Sequence, residues 1–220
     1  MSDAVKPVRH YNATRRQDAA RETRRTIMDA AHRLFLERGY TATTMPEIAR
    51  KAEVAVDTVY AACGRKPEIL RVLIERAISG SDEAIPALQH DYVRAMQAEP
   101  DPRRKLIHYA RAMREIQGRL APLVRVLREA APSDDSLKAL WAEISQRRAA
   151  NMRLLVADLA KTGQLREGLS VEEAADVIWA TNSPEFYMLL VDERGWAPEA
   201  FERWQAQTWI TLLLTPDATS

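Results

Sequence analysis

The chain has 220 residues, of which 46% are hydrophobic and 29% are charged, a composition that suits one or two globular domains. Its apolar runs are far shorter than the roughly 20 residues that a membrane span needs, and its N-terminus lacks the apolar segment of a secretory signal. A single cysteine, Cys63, excludes an internal disulfide framework, so a cytoplasmic protein is predicted.

The net charge of +1 conceals a difference between the two parts of the chain. The first 80 residues hold 15 Lys and Arg against 10 Asp and Glu, whereas the remaining 140 hold 17 against 21. A basic N-terminal part suits a polyanionic partner, although chance clustering on a solvated surface explains these counts equally well.

The first elements are predicted to be an arm and a helix. Residues 1–17 include Arg15 and Arg16 and are expected to form a flexible basic arm. A helix is predicted over about 18–38, because apolar residues recur there at intervals of three and four. Gly39 follows at the place where a left-handed backbone is needed. The apolar stripe consists of Ile27, Ala30, Ala31, Leu34 and Phe35.

Residues 44–63, TMPEIARKAEVAVDTVYAAC, predict two short helices joined by a tight turn, which is the pattern of a helix-turn-helix. Thr44 and Glu47 have the spacing of a capping box at the start of the first of these helices. The second is predicted to begin at Val56. A further helix completes a predicted DNA-binding domain over residues 18–80.

The remaining residues, 81–220, predict a longer helical body. Prolines divide it, since a proline inside a helix removes a hydrogen bond and strains the preceding turn. Breaks are predicted at Pro86, Pro122 and Pro184. One helix is predicted over about 102–117, a shorter one from Pro122 to about Ala130, and a long one over 134–161. A fourth begins at a capping box formed by Ser170 and Glu173, and the last begins at Pro198. No run of alternating β-branched residues suggests a strand, so the predicted fold class is all-α.

A helix-turn-helix places its second helix in the major groove, so the outward side chains of that helix are the candidates for reading bases. The Asp57 carboxylate is suited to accept from cytosine N4, and the methyl groups of Val56 and Ala61 are suited to meet thymine methyls. Tyr60 and Lys66 are suited to phosphate oxygens. The predicted DNA-contacting set is Arg15, Arg16, Thr44, Val56, Asp57, Thr58, Tyr60, Ala61 and Lys66.

The body offers candidates for a ligand site but none for catalysis. It has no Gly-rich phosphate loop, nucleophile elbow or His-carboxylate cluster, and His32 and His90 lack partners at metal spacing. We therefore predict no enzyme, cofactor or metal. Aromatic, methionine and amide side chains form a predicted effector pocket, although the same pattern suits an ordinary core. These residues are Tyr109, Met113, Trp141, Met152, Trp179, Asn182 and Phe186.

Three segments of the first 80 residues resemble the N-terminal domain of the tetracycline-repressor (TetR) family of transcription regulators. They are IMDAAHRLFLERGY, TATTMPEIARKAEVAVDTVY and GRKPEILRVLIERA, and they occur in the family's order. A weaker resemblance covers the end of the chain from Gly195. The resemblance implies an all-α homodimer with a three-helix DNA-binding head and a larger body that binds a small-molecule effector. It also implies a ligand-responsive repressor of a palindromic double-stranded DNA operator.

The same resemblance locates the dimer contact in the last two helices, whose apolar stripes would form a four-helix interface. Packing inside a single chain explains such stripes as well. The predicted interface residues are Ala174, Val177, Ile178, Thr181, Phe201, Trp204, Thr208 and Leu212.

The sequence departs from the family pattern at three places, the last of which covers two neighbouring residues. Glu53 stands where members often have glycine before the turn. Ala55 stands where a serine or threonine often caps the recognition helix, a cap worth about 0.5–2 kcal/mol. Cys63 stands where an aromatic residue is usual, and Ala62 where a larger side chain is. Each change is local and leaves the expected fold intact.

Other functions stay open at the level of the sequence. One is a helical small-molecule carrier or enzyme that retains a helix-turn-helix head, although the missing catalytic cluster argues against the enzyme. Another is a DNA-organising adaptor that responds to no effector.

Overall fold

The computed structural model describes residues 10–81 and 89–216, with side chains from residue 15 onward. Over these ranges the chain is helical without a strand, and Leu165 and Leu214 form an isolated antiparallel bridge, so the predicted all-α class is confirmed. Nor does any helix in these ranges have the length and apolar character to cross a membrane. The predicted break at Pro86 lies outside the described residues.

The chain divides into two compact units between Leu73 and Ile74. The first unit, called the head below, holds α1 to α3 and the start of α4. The bounds of its helices are α1 His10–Ala42, α2 Met45–Lys51, α3 Val56–Cys63 and α4 Lys66–Ser79. The division lies inside α4, several residues before the boundary at residue 80 that the sequence predicted.

The first helix is longer than predicted. It begins at His10, so residues 10–17 of the predicted flexible arm are helical, while residues 1–9 lie outside the described part. Gly39 has the predicted positive φ, 78°, and interrupts the helix there. The single hydrogen of the buried Thr43 hydroxyl is shared between the carbonyl oxygens of Gly39 at 2.8 Å and Leu34 at 3.2 Å, which stabilises this bend.

The second unit, called the body below, contains the rest of α4 and six further α-helices in the described residues. They are α5 Asp91–Ala98, α6 Pro102–Ala130, α7 Asp135–Ala160, α8 Val171–Thr181, α9 Pro184–Tyr187 and α10 Pro198–Leu213. A 3₁₀ turn, Ala131–Ser133, follows α6, and a π-helical turn, Met188–Glu193, follows α9. As predicted, Pro184 separates two helices and Pro198 opens the last one.

The predicted break at Pro122 is wrong, because α6 runs through it without interruption. Its neighbours Leu120, Ala121, Leu123 and Val124 are all buried. A proline inside a helix costs about 3 kcal/mol, whereas burying one Leu or Val side chain contributes about 1.5–3 kcal/mol. Packing on both sides of Pro122 therefore outweighs the local penalty.

Both predicted capping boxes are confirmed. The Thr44 hydroxyl accepts from the Glu47 backbone N–H while the Glu47 carboxylate accepts from the Thr44 backbone N–H, and Ser170 and Glu173 repeat this exchange at α8. Hydrogen bonds from the Thr44 backbone and hydroxyl lower the pKa of Glu47 below its ordinary 4.5, and those from the Ser170 hydroxyl and backbone lower that of Glu173.

These boxes should make stability depend on acidity. Because the folded pKa of each carboxyl lies below its unfolded value, the stabilisation is present above about pH 4.5 and is lost as the pH falls. We expect Glu173→Gln to lower the free energy of unfolding near pH 7 and to match the wild type near pH 3. All five tryptophans lie in the body, so urea unfolding followed by their emission reports on this box. A difference between the two proteins that does not change with pH would contradict the assignment.

Candidate DNA-binding face and ligand cavity

The helix-turn-helix is held by a small apolar core. Ile48, Ala49 and Val59 are buried at the contact of α2 with α3 and with α1. The turn between the two helices contains Glu53, whose φ of 56° is the one positive value at a non-glycine position in the described residues. Ala55 begins α3 without a side-chain hydrogen bond to cap it. Two of the three departures from the family pattern therefore stand at structurally demanding positions.

The strain at Glu53 predicts a stabilising substitution. A left-handed backbone costs a residue with a Cβ about 1–2 kcal/mol, while glycine adopts it freely but loses more entropy on folding. We expect Glu53→Gly to stabilise the head by about 0.5–1 kcal/mol, with Glu53→Ala giving no gain. Because no tryptophan lies in the head, the readout is amide hydrogen exchange at Ile48 and Val59. Equal slowing of exchange in both variants would show that the Glu53 side chain, not its backbone, matters.

The outward face of α3 carries the side chains predicted to read bases. Asp57, Tyr60 and Ala61 are exposed, with Tyr60 at 48%, while Val56 and Thr58 are half-buried. None of these five is fully buried, so each has surface that a partner can contact. Asp57 lies in the first turn of α3, where its negative charge interacts favourably with the positive end of the helix dipole.

Lys66 has a structural role that the sequence did not suggest. Its ammonium donates to the carbonyl oxygens of Tyr40 at 3.0 Å and Thr43 at 2.9 Å, and it stands 4.1 Å from the centroid of the Tyr40 ring. It therefore ties the end of α1 to the start of α4. The predicted phosphate contact stays a prediction, and Lys66→Ala would loosen the head as well.

Several cations near the predicted face were missed by the sequence reasoning. Arg50 and Lys51 end α2 with exposed side chains, and Arg65 is exposed between α3 and α4. Arg24 of α1 donates to the Ala62 carbonyl at the end of α3. The predicted contacts Arg15, Arg16 and Thr44 are exposed too. The signal for Arg50 and Lys51 was the basic last turn of the first motif helix.

The body contains a cavity of about 340 Å³, at the lower end of the range for small-molecule sites. Helices α4, α5, α6 and α7 and the end of α8 supply its wall. Four of the predicted pocket residues line it, namely Tyr109, Met113, Met152 and Asn182. The apolar part of the wall further includes Ile78, Met96, Ile116, Leu120, Ile144 and Leu155.

One wall of the cavity is a hydrogen-bonded polar cluster around Asn182. The Asn182 amide donates to the Tyr109 hydroxyl at 2.8 Å, and that hydroxyl donates to the Met152 sulfur at 3.4 Å. The Asn182 carbonyl accepts from Gln117 Nε2 at 2.8 Å and from Arg148 Nη2 at 3.1 Å. Burial raises the pKa of Tyr109 far above its ordinary value, so its hydroxyl stays neutral and able to donate. Gln117 and Arg148 were not predicted, because single polar residues on long helices give no periodic signal.

The remaining charges on the wall form pairs. Glu75 of α4 accepts from Arg147 of α7 at 2.6 Å, and Asp158 accepts from the buried Lys105 at 2.6 Å. The hydrogen bond from Lys105 lowers the pKa of Asp158. Lys105 also donates to the Met96 carbonyl at 2.7 Å, which fixes α5 against α6.

Three predicted pocket residues lie outside the cavity. Trp141 packs under Arg128, and Trp179 packs against Arg148 and donates to the Ser145 carbonyl at 3.3 Å. Phe186 stacks on Trp204, with ring centroids 6.0 Å apart. The spacing of these residues along the sequence therefore indicates that they pack against neighbouring helices, not that they line the cavity.

The predicted dimer residues separate into two groups. Ala174, Ile178 and Phe201 are fully buried within one chain, so they belong to its own core, contrary to the prediction. Leu212 is 43% exposed, and four others are half-buried: Val177, Thr181, Trp204 and Thr208. The sequence did not indicate Leu189, which is 48% exposed on the π-helical turn, or Trp196, which packs edge-on against Trp204 at 6.2 Å. Leu189, Trp196, Trp204 and Leu212 are called the apolar surface below.

Within the described ranges, no group of three or more His, Cys, Asp or Glu side chains is placed to hold a metal ion. Cys63 is buried, and burial raises the pKa of its thiol, which keeps it protonated.

Comparisons with known proteins agree with this arrangement. Residues 27–72 match the family model described as bacterial regulatory proteins, tetR family. The uncharacterized HTH-type transcriptional regulator YdeS of Bacillus subtilis (strain 168) is 26% identical over 170 residues, which is 77% of this chain and 79% of that protein.

Two solved structures have a similar fold. NalD, the secondary repressor of the MexAB-OprM multidrug efflux pump in Pseudomonas aeruginosa, is 20% identical with a TM-score of 0.69, covering 90% of this chain and 98% of its own. FadR from Bacillus subtilis, a transcriptional regulator solved in complex with stearoyl-CoA, is 20% identical with a TM-score of 0.68, covering 85% and 97%.

Proposed function

Because the chain belongs to the TetR family of DNA-binding transcriptional regulators, we propose that it is a ligand-responsive repressor that binds its operator as a homodimer. It would act in the cytoplasm, on double-stranded DNA. Solved relatives include one repressor, NalD, and one regulator with a bound acyl-CoA, FadR. This chain likewise has a cavity in its helical body.

The observation that carries the proposal is the course of α4. Its first residue, Lys66, is bonded to the end of α1 in the head, while Glu75, Ile78 and Ser79 near its end line the cavity. A ligand that alters the position of the last turn of α4 therefore acts on a helix that continues into the DNA-binding unit. A carrier or an adaptor without an effector would not need this connection.

The proposed switch needs two states with different affinities for the ligand, since a ligand shifts an equilibrium only through that difference. The ion pair between Glu75 and Arg147 links α4 to α7 across the cavity wall at 2.6 Å. We propose that the DNA-binding state keeps this pair and that the ligand favours a state in which α4 has moved. Operator release then follows from a changed separation of the two heads in the dimer.

The proposed homodimer would form through the apolar surface. Leu189, Trp196, Trp204 and Leu212 are large side chains with partial or substantial exposure, on or next to α9 and α10. A two-fold axis that passes beside these side chains would bury the same residues from each copy. Dimers of helix-turn-helix proteins read two half-sites about one helical turn apart, so dimerisation would supply both affinity and symmetry.

The DNA-binding part is tested by two variants with different expected effects. Arg16→Ala should weaken binding to all duplexes alike and reduce the salt dependence, because we expect this exposed arginine to contact phosphate. Asp57→Asn should change the preferred base at one position of each half-site, with a discrimination of about 1–3 kcal/mol. Gel shifts on the DNA upstream of the protein's own gene, over a range of salt concentrations, measure both. If Asp57→Asn lowered affinity without changing the preferred sequence, α3 would not be the reading helix.

A further inference from the structure

The polar wall of the cavity has an acceptor that the protein does not use. The Gln117 side chain is 3% exposed, and its Nε2 donates to the Asn182 backbone carbonyl at 2.8 Å. This bond fixes the orientation of the amide, so Oε1 is the free end. Oε1 is buried and receives no hydrogen bond within the described part of the chain. A buried acceptor without a donor costs about 1–3 kcal/mol, which a ligand that donates to it would recover.

The same wall carries Arg148, a cation that forms no ion pair with a carboxylate among the described residues. Arg148 donates from Nη2 to the carbonyl oxygens of Trp179 at 2.9 Å and Asn182 at 3.1 Å. No acidic side chain among the described residues forms an ion pair with it, whereas the adjacent Arg147 is paired with Glu75. Glu185 is its more distant counter-charge and already accepts from Arg128. Burial lowers the pKa of Arg148, as expected for a charge that has lost water without gaining a close partner.

The other ionic groups that line the cavity have partners. Glu75 accepts from Arg147, and Asp158 accepts from Lys105, which does not itself line the cavity, at 2.6 Å in each pair. Arg148 is therefore the cation on this wall that has no carboxylate in ion-pair contact among the described residues. Buried charges are normally paired, so a ligand with a single negative charge fits this site better than a neutral one.

Gln117 and Arg148 lie close together, because both bond to the carbonyl oxygen of Asn182. The acid group of a ligand on Arg148 would then stand beside a donor on Gln117 Oε1. The rest of the wall is formed mainly by Met, Ile and Leu side chains. We infer that the effector is an apolar carboxylate with a hydrogen-bond donor next to its acid group, such as a 2-hydroxy acid or an N-acylated amino acid. This inference rests on the proposed ligand response.

Arg148 also has a role inside the protein, because its bonds to Trp179 and Asn182 satisfy carbonyl groups at the end of α8. That role alone would explain the side chain without any ligand. Ligand chemistry separates the two explanations, since a purely structural arginine does not distinguish an acid from its ester.

The experiment is calorimetric titration of the full chain with three matched compounds. They are 3-phenyllactate, its methyl ester, which lacks the charge, and 3-phenylpropionate, which lacks the hydroxyl donor. We expect 3-phenyllactate to bind at least about tenfold more tightly than either of the other two, because each lost contact is a hydrogen bond to a charged or buried group. Equal affinities for acid and ester would overturn the inference.

Two variants test whether Gln117 and Arg148 cause the preference for the acid over its ester. Gln117→Glu places a carboxylate beside Arg148 and should remove the preference for the acid over the ester, and it also removes the Nε2 donor to the Asn182 carbonyl. Its folding is therefore checked by the same control as that of the next variant. Arg148→Met should do the same, with far-UV circular dichroism as the control for folding. If Gln117→Glu kept the full preference for the acid, the acid would bind elsewhere and the inference would fail.

The proposed function and this inference fail in different ways. If neutral apolar compounds bind and release the protein from DNA while 3-phenyllactate does not bind, the ligand class is wrong and the ligand response stands. If 3-phenyllactate binds as expected but leaves DNA binding unchanged, the ligand class stands and the proposed response fails.

Discussion

A double variant, Leu189→Glu with Leu212→Glu, is expected to be monomeric and to lose at least about 100-fold in affinity for a two-fold symmetric operator. Both leucines are large apolar side chains with 48% and 43% of their surface exposed in the single chain. Two carboxylates in each copy would be desolvated and would repel one another across the proposed interface, while a free monomer would keep them in water.

The matched control is Ile107→Glu, which introduces the same charge at an apolar residue of the body with 45% exposure, on α6. Sedimentation velocity gives the oligomeric state of each protein, and fluorescence anisotropy with labelled duplex gives the affinity. We expect the control to stay dimeric and to bind DNA as the wild type does. A double variant that remained dimeric would show that another surface forms the contact.

Trp209→Ala is expected to lower the free energy of unfolding of the body by about 3–5 kcal/mol, the largest stability effect that we predict for a single residue. The side chain is fully buried, its indole N–H donates to the Thr181 hydroxyl at 2.7 Å, and its ring stacks on Tyr109 at 5.3 Å. Truncation would leave a void between α6, α8 and α10. Because Tyr109 lines the cavity, ligand binding should weaken as well.

Trp209→Phe separates packing from hydrogen bonding. It keeps an aromatic ring against Tyr109 but leaves the Thr181 hydroxyl without its donor, so a smaller loss of about 1–2 kcal/mol is expected. Urea unfolding followed by far-UV circular dichroism measures both variants. Losses of equal size would mean that the hydrogen bond, not the packing, holds the helices together.

Local features of the fold were predictable from the sequence. The capping boxes at Thr44 and Ser170 depend on residues three apart, and both form as expected. The positive φ at Gly39 and the helix separation at Pro184 are local in the same sense. Pro122 was mispredicted because its tolerance depends on distant helices that bury both of its flanks, which no window of the sequence contains.

The site was predictable only in part, for a related reason. Helical periodicity marks which side chains are buried, but not what buries them. Ala174 and Phe201 therefore looked like interface residues although the chain covers them itself, and Trp141 looked like a pocket residue although it packs under Arg128. Gln117 and Arg148 were missed because their role comes from a shared partner, the carbonyl of Asn182.

The central claim is that this chain reads DNA as a symmetric dimer through α3. Selection of duplexes from a random-sequence pool by the full-length protein tests it most directly. We predict enrichment of a palindrome whose half-sites lie about 10 base pairs apart, with salt-dependent affinity and with half-site positions that change in the Asp57→Asn variant. Enrichment of no sequence, or of a single asymmetric site that is the same for both proteins, would contradict the claim.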